Sequence, residues 1–123
     1  MLKTILVVDD SAVTLTEVDE ALKDHYQVIT LNSAARMFEA INAVKADLIL
    51  LDVEMPDMNG FEAVKKLKDN IKTAHIPVIF LTSMNDNMSI ALGVSSGATD
   101  YIMKPFTAAQ LLQRVQKKLE NKV

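Results

Sequence analysis

The chain has 123 residues, half of them apolar, enough for one domain that buries its own core without cross-links. Thirteen Lys and Arg against sixteen Asp and Glu leave a net charge of −3, without the clustered basic surplus of a nucleic-acid footprint, so direct nucleic-acid binding is not expected. Cysteine is absent, which removes disulfide frameworks and thiolate metal sites; the apolar runs are too short to span a membrane and the start, MLKTILVVDD, lacks a signal-peptide core, so a cytoplasmic protein without membrane contact is expected.

Five short apolar runs read as strands: TILVV, YQVIT, DLILL, VIFL and TDYIM. Stretches with helical spacing separate them. In the first, Leu15, Val18 and Leu22 line one face, with Val13, Glu17 and Glu20 opposite. The second begins near Ser33 and carries Met37, Ile41 and Val44; the third repeats the pattern with Phe61, Val64 and Leu67 after a turn from Asp57 to Gly60. A fourth, roughly Asn87 to Ser95, has a small, polar face and contains Gly93. The fifth opens on a capping-box pattern, Thr107 with Gln110, carries Leu111, Leu112, Val115 and Leu119 on one stripe, and ends with Lys117 and Lys118 suiting the helix dipole. Alternating strands and helices imply right-handed crossovers and a parallel sheet covered on both faces, so the fold class is α/β.

In such sheets the site forms at the carboxyl ends of the strands, and Asp9, Asp10, Asp52, Thr82 and Lys104 all stand where an apolar run stops. Three ionised carboxylates in contact repel by on the order of 4 kcal/mol per pair at about 4 Å and an effective dielectric of about 20. A cation must sit among them, and an all-oxygen cluster suits Mg²⁺, which completes its coordination with water and phosphate oxygens. Asp52 follows the central run most directly and is the candidate nucleophile toward a phosphoryl group. Asp10 and Asp52 would hold the metal with Asp9 acting mainly through water, Lys104 would approach from the other side, and the Thr82 hydroxyl would donate to a phosphoryl oxygen. Three carboxylates, one divalent cation and one ammonium cancel formally, and a neutral site accepts an incoming phosphoryl group.

The segments ILVVDDS, LILLDVEMPDMNG, IFLTS and GATDYIMKPF resemble, in order and spacing across essentially the whole chain, the motifs of the response-regulator receiver domain of two-component signalling. The resemblance implies a flavodoxin-like, doubly wound five-stranded parallel sheet of order 2-1-3-4-5 with five helices, an order for which a receiver protein is itself a standard illustration. It implies phosphorylation of Asp52 by a histidine kinase or phosphotransfer protein, and Mg²⁺ organised by Asp9, Asp10, Asp52 and the backbone carbonyl of Glu54. It further implies a switch in which Thr82 turns toward the phosphoryl group and Tyr101 moves inward, remodelling the surface of the fourth predicted helix, fifth strand and fifth predicted helix for an output partner. The Lys104–Pro105 bond is expected to be cis, and Glu54 and Met84 to flank the path of the water that ends the phosphorylated state. A regulator of the chemotaxis or phosphorelay sort, or one domain of a longer regulator, fits residues 1–123; a monomer or a phosphorylation-dependent dimer is expected.

Plainer readings stand beside these. Asp9 and Asp10 alone would serve as an acidic pair at a helix start. Ser83 reads equally as a loop residue, Tyr101 as a strand aromatic, and the seven Met residues as gap fillers. His25 and His75 fall near turns as surface residues, Arg114 and its neighbouring lysines as a solvated face, and Val13 as an exposed apolar residue beside the acidic loop, suited to docking a phosphodonor. A Mg²⁺-dependent phosphohydrolase with an Asp nucleophile is the alternative function, but Val53 and Glu54 follow Asp52 where such enzymes favour Asp-x-Asp. A flavin or nucleotide module is disfavoured because DDSAV offers no glycine for a phosphate nest, and a receiver that serves only as an interaction surface because every expected site residue is present.

Overall fold

The computed structural model describes residues 2–83 and 97–120. Its five strands are β1 (Thr4–Val8), β2 (Gln27–Leu31), β3 (Leu48–Asp52), β4 (Val78–Thr82) and β5 (Asp100–Met103). All pair in parallel in the order β2-β1-β3-β4-β5, as the resemblance implied. Every residue of β1, β3 and β4 is buried, because these continuous apolar runs lie in the middle of a sheet covered on both sides. The flanking β2 and β5 are only partly buried, as edge strands are.

Alternation along the central strands sorts side chains into two layers. Leu6, Val8, Ile49, Leu51, Val78 and Phe80 meet helices α2 (Ala34–Ile41) and α3 (Gly60–Asp69) through Met37, Val64 and Leu67. Ile5, Val7, Leu48, Leu50, Ile79 and Leu81 meet α1 (Ala12–Leu22) and α4 (Ala108–Glu120) through Val18, Leu22, Leu111, Val115 and Leu119. The Phe61 ring stands edge-on to Phe80, at 5.4 Å and 82°, a favoured aromatic geometry.

Several local expectations shift. On α1 the buried residues are Thr14, Val18 and Leu22, while Leu15 is half-buried and packs at the margin of the layer. Val44 lies past the end of α2, which stops at Ile41. The capping box forms as expected: the Gln110 backbone N–H donates to Thr107 Oγ1 at 3.1 Å, and the Thr107 N–H donates to Gln110 Oε1 at 2.9 Å. Four helices occur among the described residues; the helix expected near 87–95 and Met84 lie outside them. No helix among the described residues is long and apolar enough to cross a membrane.

Candidate functional site

The strand register brings the site together. Val8 pairs with Leu51, Asp52 with Leu81, and Thr82 with Met103, so Asp9, Asp52, Thr82 and Lys104 follow one another across the carboxyl edge. The Asp9 N–H donates to the Leu31 carbonyl at 3.0 Å and the Lys104 N–H to the Thr82 carbonyl at 2.7 Å, continuing the ladder one residue past each strand. The Lys104–Pro105 bond is cis, as the resemblance implied.

Asp9, Asp10 and Asp52 each offer a carboxylate oxygen within 4.8 Å of the others'. Their surroundings differ sharply. Asp9 is wholly buried; its Oδ1 accepts the Ser11 N–H at 2.9 Å and its Oδ2 the Lys104 ammonium at 2.8 Å. Asp10 is exposed. Asp52 is 6% exposed, accepts the Glu54 N–H at 3.3 Å and lies 3.7 Å from Lys104 Nζ. Burial pushes the Asp52 carboxyl up to about 7, and the charge of Asp9 adds to the rise; Lys104 and the Glu54 N–H oppose it, and Asp10 contributes the same way as Asp9. The lysine therefore only partly answers the repulsion among the carboxylates. An all-oxygen donor set with excess negative charge, partly buried, fits a hard divalent cation.

Thr82 is buried at the end of β4. Tyr101, opposite Phe80 on β5, is half-buried against the α2–α3 layer, and its carbonyl accepts a hydrogen bond from Arg114 at 3.0 Å, an arginine also paired with Asp100 at 3.2 Å. Ser83 is exposed and lines a cleft of about 310 Å³ with Thr14, Lys104 and Phe106. Val13 is 68% exposed. His25 and His75 are both exposed and belong to no acidic cluster among the described residues.

Two participants escape a reading of the sequence. Gly60 reads there only as a turn former, yet a Cβ at that position would meet the Asp52 carbonyl at 2.7 Å and the Val53 Cα at 2.8 Å, so the start of α3 lies directly on the end of β3. Asp57 reads as a turn residue as well. Its carboxylate instead accepts the N–H groups of Ala34 and Ala35 at 3.4 and 3.0 Å. No sequence signal marks that contact, because its partners lie more than twenty residues away.

Comparison with known proteins agrees with this geometry. Residues 5–116 match the family model of the response regulator receiver domain. A probable cyclic di-GMP phosphodiesterase of Vibrio cholerae is 39% identical over 119 residues, covering 97% of this chain and 27% of that protein. The DNA-binding response regulator MtrA of Mycobacterium tuberculosis is 33% identical over 120 residues, 97% of this chain and 51% of that protein. The chain thus spans about half or less of the length of these curated relatives. The chemotaxis protein CheY4 of Vibrio cholerae superposes with a TM-score of 0.90 at 30% identity, covering 95% of this chain and 98% of that one. The BeF3-activated receiver domain of DrrB, a Thermotoga maritima protein, does so at 0.89 and 33%, over 98% and 99%. With the sheet order, the acidic edge and the family match in agreement, this chain belongs to the response regulator receiver domain family of two-component signal transduction.

Proposed function

We propose that residues 1–123 form one receiver domain that accepts a phosphoryl group on Asp52 from a phosphohistidine of a histidine kinase or phosphotransfer protein. The observation that carries this reading is a buried carboxylate ending the central strand, 3.7 Å from an ammonium and crowded by two further carboxylates. An Asp52 oxygen forms the new O–P bond as the P–N bond of the donor breaks, and the bonding electron pair leaves with the imidazole. Asp52 must be ionised for that attack, yet burial and Asp9 favour its protonated form. Asp10, Asp52 and the Glu54 carbonyl would hold Mg²⁺, with Asp9 acting through water, and the bound ion supplies the positive charge that keeps Asp52 ionised and offsets the phosphoryl oxygens. Both Asp9 oxygens already accept hydrogen bonds, which supports its indirect part.

Lys104 steadies the phosphoryl group from the opposite side, and the Thr82 hydroxyl donates to one of its oxygens. The phosphoryl group carries roughly two negative charges in place of the single charge of the ionised carboxylate, and Thr82 and Tyr101 carry the change to the surface of β5 and α4. An output partner reads that surface as a shifted population. A cavity of about 460 Å³ lined by Tyr101, Met103 and Arg114 lies there. The cytoplasm is the compartment this role requires. The chain turns over no separate substrate, though Asp52, Thr82 and Lys104 assist the gain and loss of its own phosphoryl group.

Intact mass after incubation with acetyl phosphate and Mg²⁺ tests the reading. One added phosphoryl group on the parent and none on Asp52→Asn is expected; an unmodified parent, or continuing hydrolysis of the donor without a protein adduct, would overturn it.

A further inference from the structure

The loop from Val53 to Asn59 carries Glu54 to the edge of the acidic cluster, and its two ends are pinned. Val53 and Met55 are buried in the α2–α3 layer. At the far end the Gly60 N–H donates to the Val53 carbonyl at 2.7 Å, and the lack of a Cβ lets α3 start against the backbone of β3. Between these anchors, Asp57 reaches across to another element.

That element is the amino terminus of α2, where the N–H groups of Ala34, Ala35, Arg36 and Met37 each have an acceptor. Ala34 and Ala35 donate to the two Asp57 oxygens, Arg36 donates to Ser33 Oγ at 3.2 Å, and Met37 makes the first turn of the helix by donating to the Ser33 carbonyl at 3.2 Å. The first turn of α2 has no acidic residue of its own. Asp57 therefore provides, from a distant part of the chain, both the acceptors and the negative charge that a helix start favours. Ala34 and Met37 in turn are buried in the same layer as Val53 and Met55, so α2 is a fixed post for the loop.

We propose that Asp57 is a positioning residue for the acidic site: by latching the β3–α3 loop to α2 it holds the Glu54 carbonyl where a divalent cation shared with Asp10 and Asp52 needs it. The inference rests on the proposed reading of Glu54 as a carbonyl ligand. Outer partners that orient a metal's ligands typically change affinity by about 10- to 100-fold when removed, and a latch that acts through backbone belongs at the lower end.

The test is a Mg²⁺ titration followed by backbone amide NMR, which needs no phosphoryl chemistry. Asp57→Ala should raise the half-saturating Mg²⁺ concentration on the order of tenfold, and Asp57→Asn, which keeps an acceptor, by less. Ser33→Ala removes the helix's own cap without touching the loop; it should lower the melting temperature and leave the titration unchanged. An Asp57→Ala protein that melts lower but titrates as the parent does would reduce Asp57 to a helix cap and overturn the inference. Equal weakening by Ser33→Ala would overturn it too, since the effect would then belong to α2 stability. If Asp57→Ala does not fold, Asp57→Asn decides the matter by the same criterion. A parent whose amides near Asp10, Asp52 and Glu54 ignore Mg²⁺ would overturn the cation site itself, an outcome distinct from the failure of the latch alone.

Discussion

Lys68 and Lys104 are half-buried lysines at opposite ends of one sheet, and they are held in contrary ways. At the amino edge, Lys68 donates to the carbonyls of Ala74 and Ile76 at 3.1 and 2.8 Å; burial among these neutral partners lowers its pKa. Nearby, Asp47 accepts the Thr4 N–H at 2.8 Å and Thr4 Oγ1 bonds Gln27 at 3.1 Å, so polar groups at that end are matched locally. At the carboxyl edge, Lys104 sits between Asp9 and Asp52 and Asp10 stands close by. One ammonium faces three carboxylates. The amino edge closes the fold, whereas the carboxyl edge retains a repulsion among carboxylates that a bound cation can relieve.

Removing the lysine at the carboxyl edge should break this contrast most strongly. Lys104→Met leaves the buried Asp9 carboxylate unpaired and should cost on the order of 3 kcal/mol, read by urea unfolding without Mg²⁺; a loss below about 1 kcal/mol would show that the pair behaves as a surface ion pair. Phosphoryl uptake should also fall, because the same ammonium faces Asp52.

The pH dependence sharpens the comparison at a smaller scale. The Asp52 carboxyl is raised from its ordinary 3.8 to about 7, so the folded chain holds that proton more tightly than the unfolded chain does. Its stabilisation is complete below about 4 and disappears as pH rises through about 7. Between pH 8 and pH 6, the melting temperature of the Mg²⁺-free protein should therefore rise as acid is added. Asp52→Asn should flatten that rise, and saturating Mg²⁺ should raise the melting temperature most at pH 8. A slope identical in parent and Asp52→Asn would refute the assignment. The smallest effect belongs to the amino edge: Asp47→Ala should cost about 1 kcal/mol and leave phosphoryl uptake untouched, and a changed uptake would mean that the two ends are coupled.

Much of the carboxyl edge was legible because period and position coincide in the chain. A continuous apolar run that stops at an aspartate marks both a central strand and the edge at which its side chain emerges, and this held for Val8–Asp9 and for Leu51–Asp52. The Thr107–Gln110 box was legible for a similar reason, as both partners lie within one turn. Asp57 was not, since its turn chemistry is local and its partners are on α2. The buried Thr14 was hidden because pattern reading favours Leu15, although the threonine sits at the helix start beside the site, and the N–H of Thr14 donates to Ser11.

By itself the sequence determined the alternation of strands and helices, the residues that end each strand, and a cluster of acidic groups in need of a cation. Those properties follow from short-range periodicity and from the charge of the residues. Only the tertiary structure decided how the charges divide: Asp9 buried with both oxygens engaged, Asp10 exposed, Asp52 buried and raised in pKa, and Asp57 turned away to hold α2. Desolvation and hydrogen bonding depend on neighbours brought together across the sheet, and a linear pattern of like carboxylates does not distinguish among them.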